Sequence, residues 1–196
     1  AGYVALLARL AERRRGKGFA RPVLFAAWTA EEKGLLGARW WLQHPTLPKE
    51  QLVGVINLDQ LRPLFPLKAL TLHGLDQNTL ADTAKSVAQS LKIEIRPDRE
   101  PESNLIRRVD SWPFMEAGIP AVNFVFAYNP RTEEERIYRD WYQRRYHRPQ
   151  DDISTPMDLD AARDFNRFFY TLVETAANAT AKPVMKAKNL KMTSLS

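Results

Sequence analysis

Two adjacent glutamates, Glu31 and Glu32, follow directly on an apolar run and open what reads as a helix. Neighbouring helical residues point about 100° apart, so two such carboxylates cannot do one job on one atom. One can bind a metal ion while the other faces a water. Another carboxylate, Asp59, ends the run Ile56-Asn57-Leu58-Asp59, and an imidazole, His147, stands four residues before Asp151. A metal-bound imidazole commonly donates its second ring N–H to such an acceptor. Taken singly, each has an ordinary structural reading: acids in the first turn of a helix, a turn cap, a lone loop histidine. Taken together, they put carboxylates and an imidazole on three separate loops, a donor set suited to zinc or a similar divalent ion. The chain has no cysteine, so any metal is held by His, Asp and Glu, and disulfides and cysteine nucleophiles are excluded. His44 and His73 have no comparable context and read as surface or structural residues.

The elements that must position these groups alternate. Tyr3, Leu6, Leu7 and Leu10 share one face of a helix over residues 3–14, stopped by Gly16 and Gly18. Pro22–Ala27, Val53–Leu58, Ala69–His73 and Ala121–Phe126 read as short buried strands, with a further short one at Ile93–Ile95. Helices are predicted over Glu31–Gln43, over Asp76–Leu91 with Asp76 as cap, as a turn at Trp112–Ala117 ended by Gly118, and over Glu133–Arg145 and Leu159–Asn178. Such alternation implies an α/β sandwich with a mainly parallel or mixed sheet. In that architecture a ligand site lies beyond the carboxyl ends of the strands, where Glu31, Glu32 and Asp59 fall.

Composition bounds the rest. With 196 residues, 44% of them hydrophobic and 27% charged, the chain has the balance of one ordinary globular domain. No apolar run approaches the roughly 18 to 20 residues that cross a bilayer, so no transmembrane segment is expected. The net charge of +6 owes much to Lys182, Lys186, Lys188 and Lys191 in a tail that carries no acid. Residues 1–181 are therefore near neutral, and the tail, 182–196, is expected to be disordered. Arg13, Arg14, Arg15 and Lys17 close a helix, where cations suit the negative end of its dipole, and nothing signals a nucleic-acid partner. The chain opens inside an element, without a start methionine or helix cap, and so reads as a fragment of a longer protein.

Four segments in register carry a resemblance. Ala30-Glu31-Glu32-Lys33-Gly34-Leu35-Leu36-Gly37, Asn57-Leu58-Asp59, Asp110-Ser111-Trp112-Pro113-Phe114 with Ala117-Gly118-Ile119-Pro120-Ala121, and Tyr146-His147-Arg148-Pro149-Gln150-Asp151 together resemble the M28 family of zinc aminopeptidases over residues 1–180. The resemblance implies a three-layer α/β/α sandwich of the zinc-exopeptidase type, here missing its N-terminal strands, with two zinc ions activating a water. It makes Glu31 the general base and Glu32, Asp59 and His147 zinc ligands. On physical grounds Asp151 is placed behind His147 to orient it. The family's two other ligands, a His and a bridging Asp, are expected upstream of Ala1, so the chain alone is expected to be inactive. Ser111 stands where many members have His, on the substrate side next to Asp110, and Trp112, Phe114 and Tyr128 are candidates for the pocket that takes the first side chain. The substrates implied are peptides with a free N-terminus, the location extracytoplasmic. Two rivals share the fold: a single-zinc, glutaminyl cyclase-like acyltransferase and a noncatalytic M28-like binding or scaffold domain.

Overall fold

The computed structural model describes residues 8, 9, 12, 18–59 and 61–187. Four strands, β1 (Val55–Ile56), β2 (Ala69–His73), β3 (Glu94–Arg96) and β4 (Ala121–Phe126), form one open sheet in the order β1-β4-β2-β3. β1 runs parallel to β4 and β2 parallel to β3, while the central pair β2 and β4 is antiparallel, which makes the sheet mixed. The helices α1 (Leu36–Gln43), α2 (Thr79–Ser90), α3 (Trp112–Glu116), α4 (Glu133–Arg144) and α5 (Leu159–Asn178) accompany it.

Alternation along the strands divides the core in two. Leu70 and Leu72 of β2 and Val122, Phe124 and Phe126 of β4 pack with Leu80 and Ala84 of α2 and Phe165, Phe168 and Leu172 of α5. Phe124 meets Phe168 edge to face, with centroids 5.1 Å apart; each fully buried aromatic of this kind contributes about 1.5–3 kcal/mol. Ala121 faces the other way, into a smaller cluster with Ala38 and Trp41 of α1 and Phe114 and Met115 of α3. Helices therefore cover both faces of the sheet, the α/β/α layering expected. Among the described residues no helix is long and apolar enough to cross a membrane.

Where sequence and structure differ, the reason is local. Most of the predicted helix over 3–14 lies outside the described residues, though residues 8, 9 and 12 are helical. Pro22–Ala27 forms no strand with the other described residues: Val23 and Phe25 reach the main core, while Leu24 is exposed. A buried run becomes a strand only if a neighbour pairs with it. Val53–Leu58 likewise pairs over β1 alone. The predicted cap of α2, Asp76, lies outside the helix; Asn78 caps it, accepting from the Ala81 amide at 3.0 Å while its own amide donates to the Ala121 carbonyl. The start of the basic tail is placed rather than loose. Met185 bridges to Asn78, and Lys186 Nζ reaches Asp82 at 2.8 Å.

One row of polar side chains crosses the sheet on the face of Ala121. Asn57 donates to Asn123 Oδ1 at 3.1 Å, the Asn123 amide meets His73 Nδ1 at 3.2 Å, and His73 Nε2 faces Asp98 Oδ2 at 3.7 Å. His73 is thus the structural residue its sequence context suggests, 4% exposed. Burial pushes its pKa below the usual 6.5, against a smaller upward pull from Asp98. A basic group with a depressed folded pKa binds fewer protons folded than unfolded, so its stabilising share is present above 6.5 and is lost as the pH falls below it. Wild type is therefore expected to lose more stability than His73→Gln between pH 7.5 and 5.0 in urea titrations; equal losses would show that His73 takes up its proton without cost.

Candidate active site

The expected helix over Glu31–Gln43 is two pieces. Glu31–Lys33 form a single 3-10 turn, entered through Ala30 at φ 55° and left through Gly34 at φ 96° and Leu35 at φ 61°, before α1 begins. The break sets Glu31 and Glu32 on a tight turn ahead of the helix, held by backbone bonds from Gly34 and Leu35 to the Glu31 carbonyl and from Leu36 to the Ala30 carbonyl. Two non-glycine residues in the left-handed region store strain, of order 1 kcal/mol or more each, of the kind that collects at working sites. Gly37 makes the turn possible: its amide donates to the Thr29 carbonyl, and a Cβ there would lie 2.6 Å from that same oxygen. Gly37→Ala is expected to cost about 1–3 kcal/mol by forcing the two backbones apart, and urea denaturation measures it; a change below 0.5 kcal/mol, on the order of a surface substitution, would mean that the turn yields freely.

Across the chain, His147 comes to meet this turn. Its Nε2 lies 2.6 Å from Glu32 Oε1, its ring stacks on Tyr146 with centroids 3.8 Å apart, and its own backbone is left-handed at φ 55°. The other carboxylates act through charge. Burial, then Asp59, Glu32 and Asp110, push the Glu31 carboxyl up to about 7. Burial and then Asp59 raise Asp110 to about 6, and its Oδ1 is buried with no hydrogen-bond partner among the described residues. Four carboxylates thus repel one another here, and the His147 imidazole stands against one of them. The donor types fit a divalent cation, which would relieve that repulsion, and Glu32 and His147 already stand side by side as two donors. The described groups do not close a site by themselves: no three His, Asp or Glu side chains among them come near enough to hold an ion.

Other candidates fall elsewhere. Asp151 does not back His147. Its Oδ1 accepts from Trp141 Nε1 at 3.2 Å and from the Thr155 hydroxyl at 3.3 Å, because the turn after His147 carries it under α4. Phe114 is core, 1% exposed between Trp28 and Trp41. Trp112 is half-buried with the Arg107 guanidinium 5.2 Å above its ring. Ser111 is buried at the start of α3, its hydroxyl without a partner among the described residues. Tyr128 lines a separate hollow of about 240 Å³ with Thr71 and His73. These residues do not form one pocket.

The cleft that Glu31, Glu32 and His147 do border has a volume of about 530 Å³. Its remaining lining includes Tyr138, Tyr142 and Tyr146 and the guanidinium groups of Arg62, Arg107, Arg108 and Arg139. None of these stood out as a site residue in the sequence. The i, i+4 spacing of Tyr138 and Tyr142 was the available signal, since it stacks them on one side of α4 with centroids 6.2 Å apart. Arg62 is nearly buried; its Nη1 donates to the Tyr138 hydroxyl at 2.9 Å, and its charge lies over the rings of Tyr138, Trp141 and Tyr146.

Known proteins are similar to this chain in sequence and in fold. The chain is 25% identical over 188 residues to leupeptin-inactivating enzyme 1 of Streptomyces exfoliatus, an alignment covering 92% of this chain and 41% of that protein. Two structures of BSAP, a zinc aminopeptidase from Bacillus subtilis, superimpose on it. One gives a TM-score of 0.66 at 23% identity over 92% of this chain and 42% of that one. The other gives 0.57 at 25% identity over 80% and 36%. The chain spans about two fifths of the length of these relatives. The profile of Peptidase family M28 matches residues 1–173, and the chain belongs to that family.

Proposed function

We propose that the protein is a zinc-dependent aminopeptidase, to which this chain contributes the general base Glu31 and the zinc ligands Glu32, Asp59 and His147. The observation that carries the reading is the apposition of Glu32 Oε1 and His147 Nε2 at 2.6 Å, with Glu31 beside them on the wall of one cleft. Relatives named as a zinc aminopeptidase and as a leupeptin-inactivating enzyme support it. Two zinc ions are the number that goes with this reading, and an extracytoplasmic location goes with it too. Bound zinc supplies Lewis acidity to the scissile carbonyl and to the attacking water. Glu31 takes the proton of that water on its carboxylate and delivers it to the leaving amine, a role suited to a carboxylate that a half-buried site holds near neutrality. Its neighbour Glu32 diverges from it on the turn and so remains free to hold metal with His147. The cleft takes a peptide by its free N-terminus.

The test is mass spectrometry of unblocked peptides incubated with the full-length polypeptide. Stepwise loss of N-terminal residues, stopped by a chelator and restored by zinc, is the expected result. Intact peptides with the zinc-loaded protein would overturn the reading, and loss of ammonia from an N-terminal Gln would replace it with a cyclase.

A further inference from the structure

Four guanidinium groups, those of Arg62, Arg107, Arg108 and Arg139, line the cleft together with the carboxylates of Glu31, Glu32 and Glu100. Arg139 is engaged, 2.8 Å from Glu135 and 3.6 Å from Glu100, so these two carboxylates take up its charge. Arg107 and Arg108 are different. They close the 3-10 turn Leu105–Arg108, both line the cleft, and among the described residues neither makes an ion pair. Arg107 lies over Trp112, a half-buried ring two residues after Asp110, which ties this turn to the carboxylate cluster. Arg62, clamped by the Tyr138 hydroxyl and three aromatic rings, adds a cation that cannot swing away. Between these cations the phenol rings of Tyr138 and Tyr142 offer flat walls for a short aliphatic stem.

We propose that this cleft recognises a carboxylate on the substrate, supplied by an acidic side chain at the peptide's N-terminus or by the C-terminal carboxylate of a very short peptide, with Arg107 and Arg108 as the specificity-determining residues. This deepens the peptidase reading and rests on it. Guanidinium groups bind carboxylates through paired N–H donors, a geometry that neither an apolar nor a cationic side chain can satisfy. A lysyl or arginyl N-terminus would place like charges together and is disfavoured.

The experiment uses the zinc-loaded, full-length polypeptide. Glutamyl, aspartyl, leucyl and lysyl p-nitroanilides test the side chain, Leu-Gly against Leu-Gly amide tests the terminal carboxylate, and calorimetric binding of free glutamate and leucine needs no turnover. At least one carboxylate-bearing substrate is expected to exceed its uncharged counterpart in kcat/KM by about tenfold or more. That ratio is expected to fall about tenfold in Arg107→Gln/Arg108→Gln, and lysyl is expected to overtake glutamyl in Arg107→Glu/Arg108→Glu. Preference for leucyl or lysyl substrates, or a ratio indifferent to both arginines, overturns the proposal while leaving the peptidase reading intact. If no substrate is cut but glutamate binds more tightly than leucine and depends on the arginines, the peptidase reading fails and the carboxylate site stands. If nothing is cut and the two amino acids bind alike, both fail.

Discussion

Glu31→Gln in the full-length polypeptide is expected to lower kcat by about 10² to 10⁴, the usual contribution of a positioned general base, with zinc content unchanged. Glutamine keeps the length and much of the hydrogen-bonding shape of the side chain and removes only its basicity. The surroundings of Glu31 make a second, independent signature available. Its carboxyl is raised to about 7 by burial and by Asp59, Glu32 and Asp110, above its ordinary 4.5. An acid with a raised folded pKa contributes stability at pH values below 4.5 that is lost as the pH rises through about 7. In the metal-free protein the substitution should therefore leave stability nearly unchanged at pH 4 and raise it at pH 8, since it removes one of several carboxylates that repel one another. Turnover of an aminoacyl substrate, zinc by elemental analysis and urea titrations at the two pH values measure all three. Near-normal kcat, or loss of zinc from this variant, would show that the roles within the Glu31–Glu32 pair are misassigned.

The sequence was most legible where an element is defined by its own burial. β2, β4 and α5 have the bounds read from their apolar patterns, because a run such as Ala121–Phe126, preceded by Gly118 and Pro120, has little choice of state. It was least legible where structure depends on a neighbour. Pro22–Ala27 has the composition of a buried strand and no ladder among the described residues, and α1 starts five residues late because Gly34 and Leu35 adopt left-handed backbone that a periodicity argument does not see. The same division runs through the site. Spacing set Glu31, Glu32 and His147 on loops and the resemblance set them in one site, and all three border one cleft. It could not say that Phe114 turns inward between two tryptophans, that Asp151 turns toward Trp141, or that Arg62 lies buried over three rings, since those directions are set by packing among side chains distant in sequence.

Glu32→Gln should behave in the opposite way to its neighbour: zinc occupancy and activity fall together, and added zinc restores part of the activity. A carboxamide oxygen is a poorer zinc ligand than a carboxylate, and even partners one step removed from a metal change affinity by about 10- to 100-fold, so a loss of at least that size is expected here. His147→Ala, which removes the other member of the pair, should lose zinc as well. The contrasting expectation is specific. Glu32 and His147 side chains are 66% and 52% exposed, and an ion pair that open to water contributes about 0–1 kcal/mol whatever its distance. If the 2.6 Å contact were only such a pair, either substitution would shift the unfolding midpoint slightly and leave metal binding and kcat alone. Zinc retained at full occupancy in both variants would remove Glu32 and His147 from the metal site and leave the cleft without an identified donor pair.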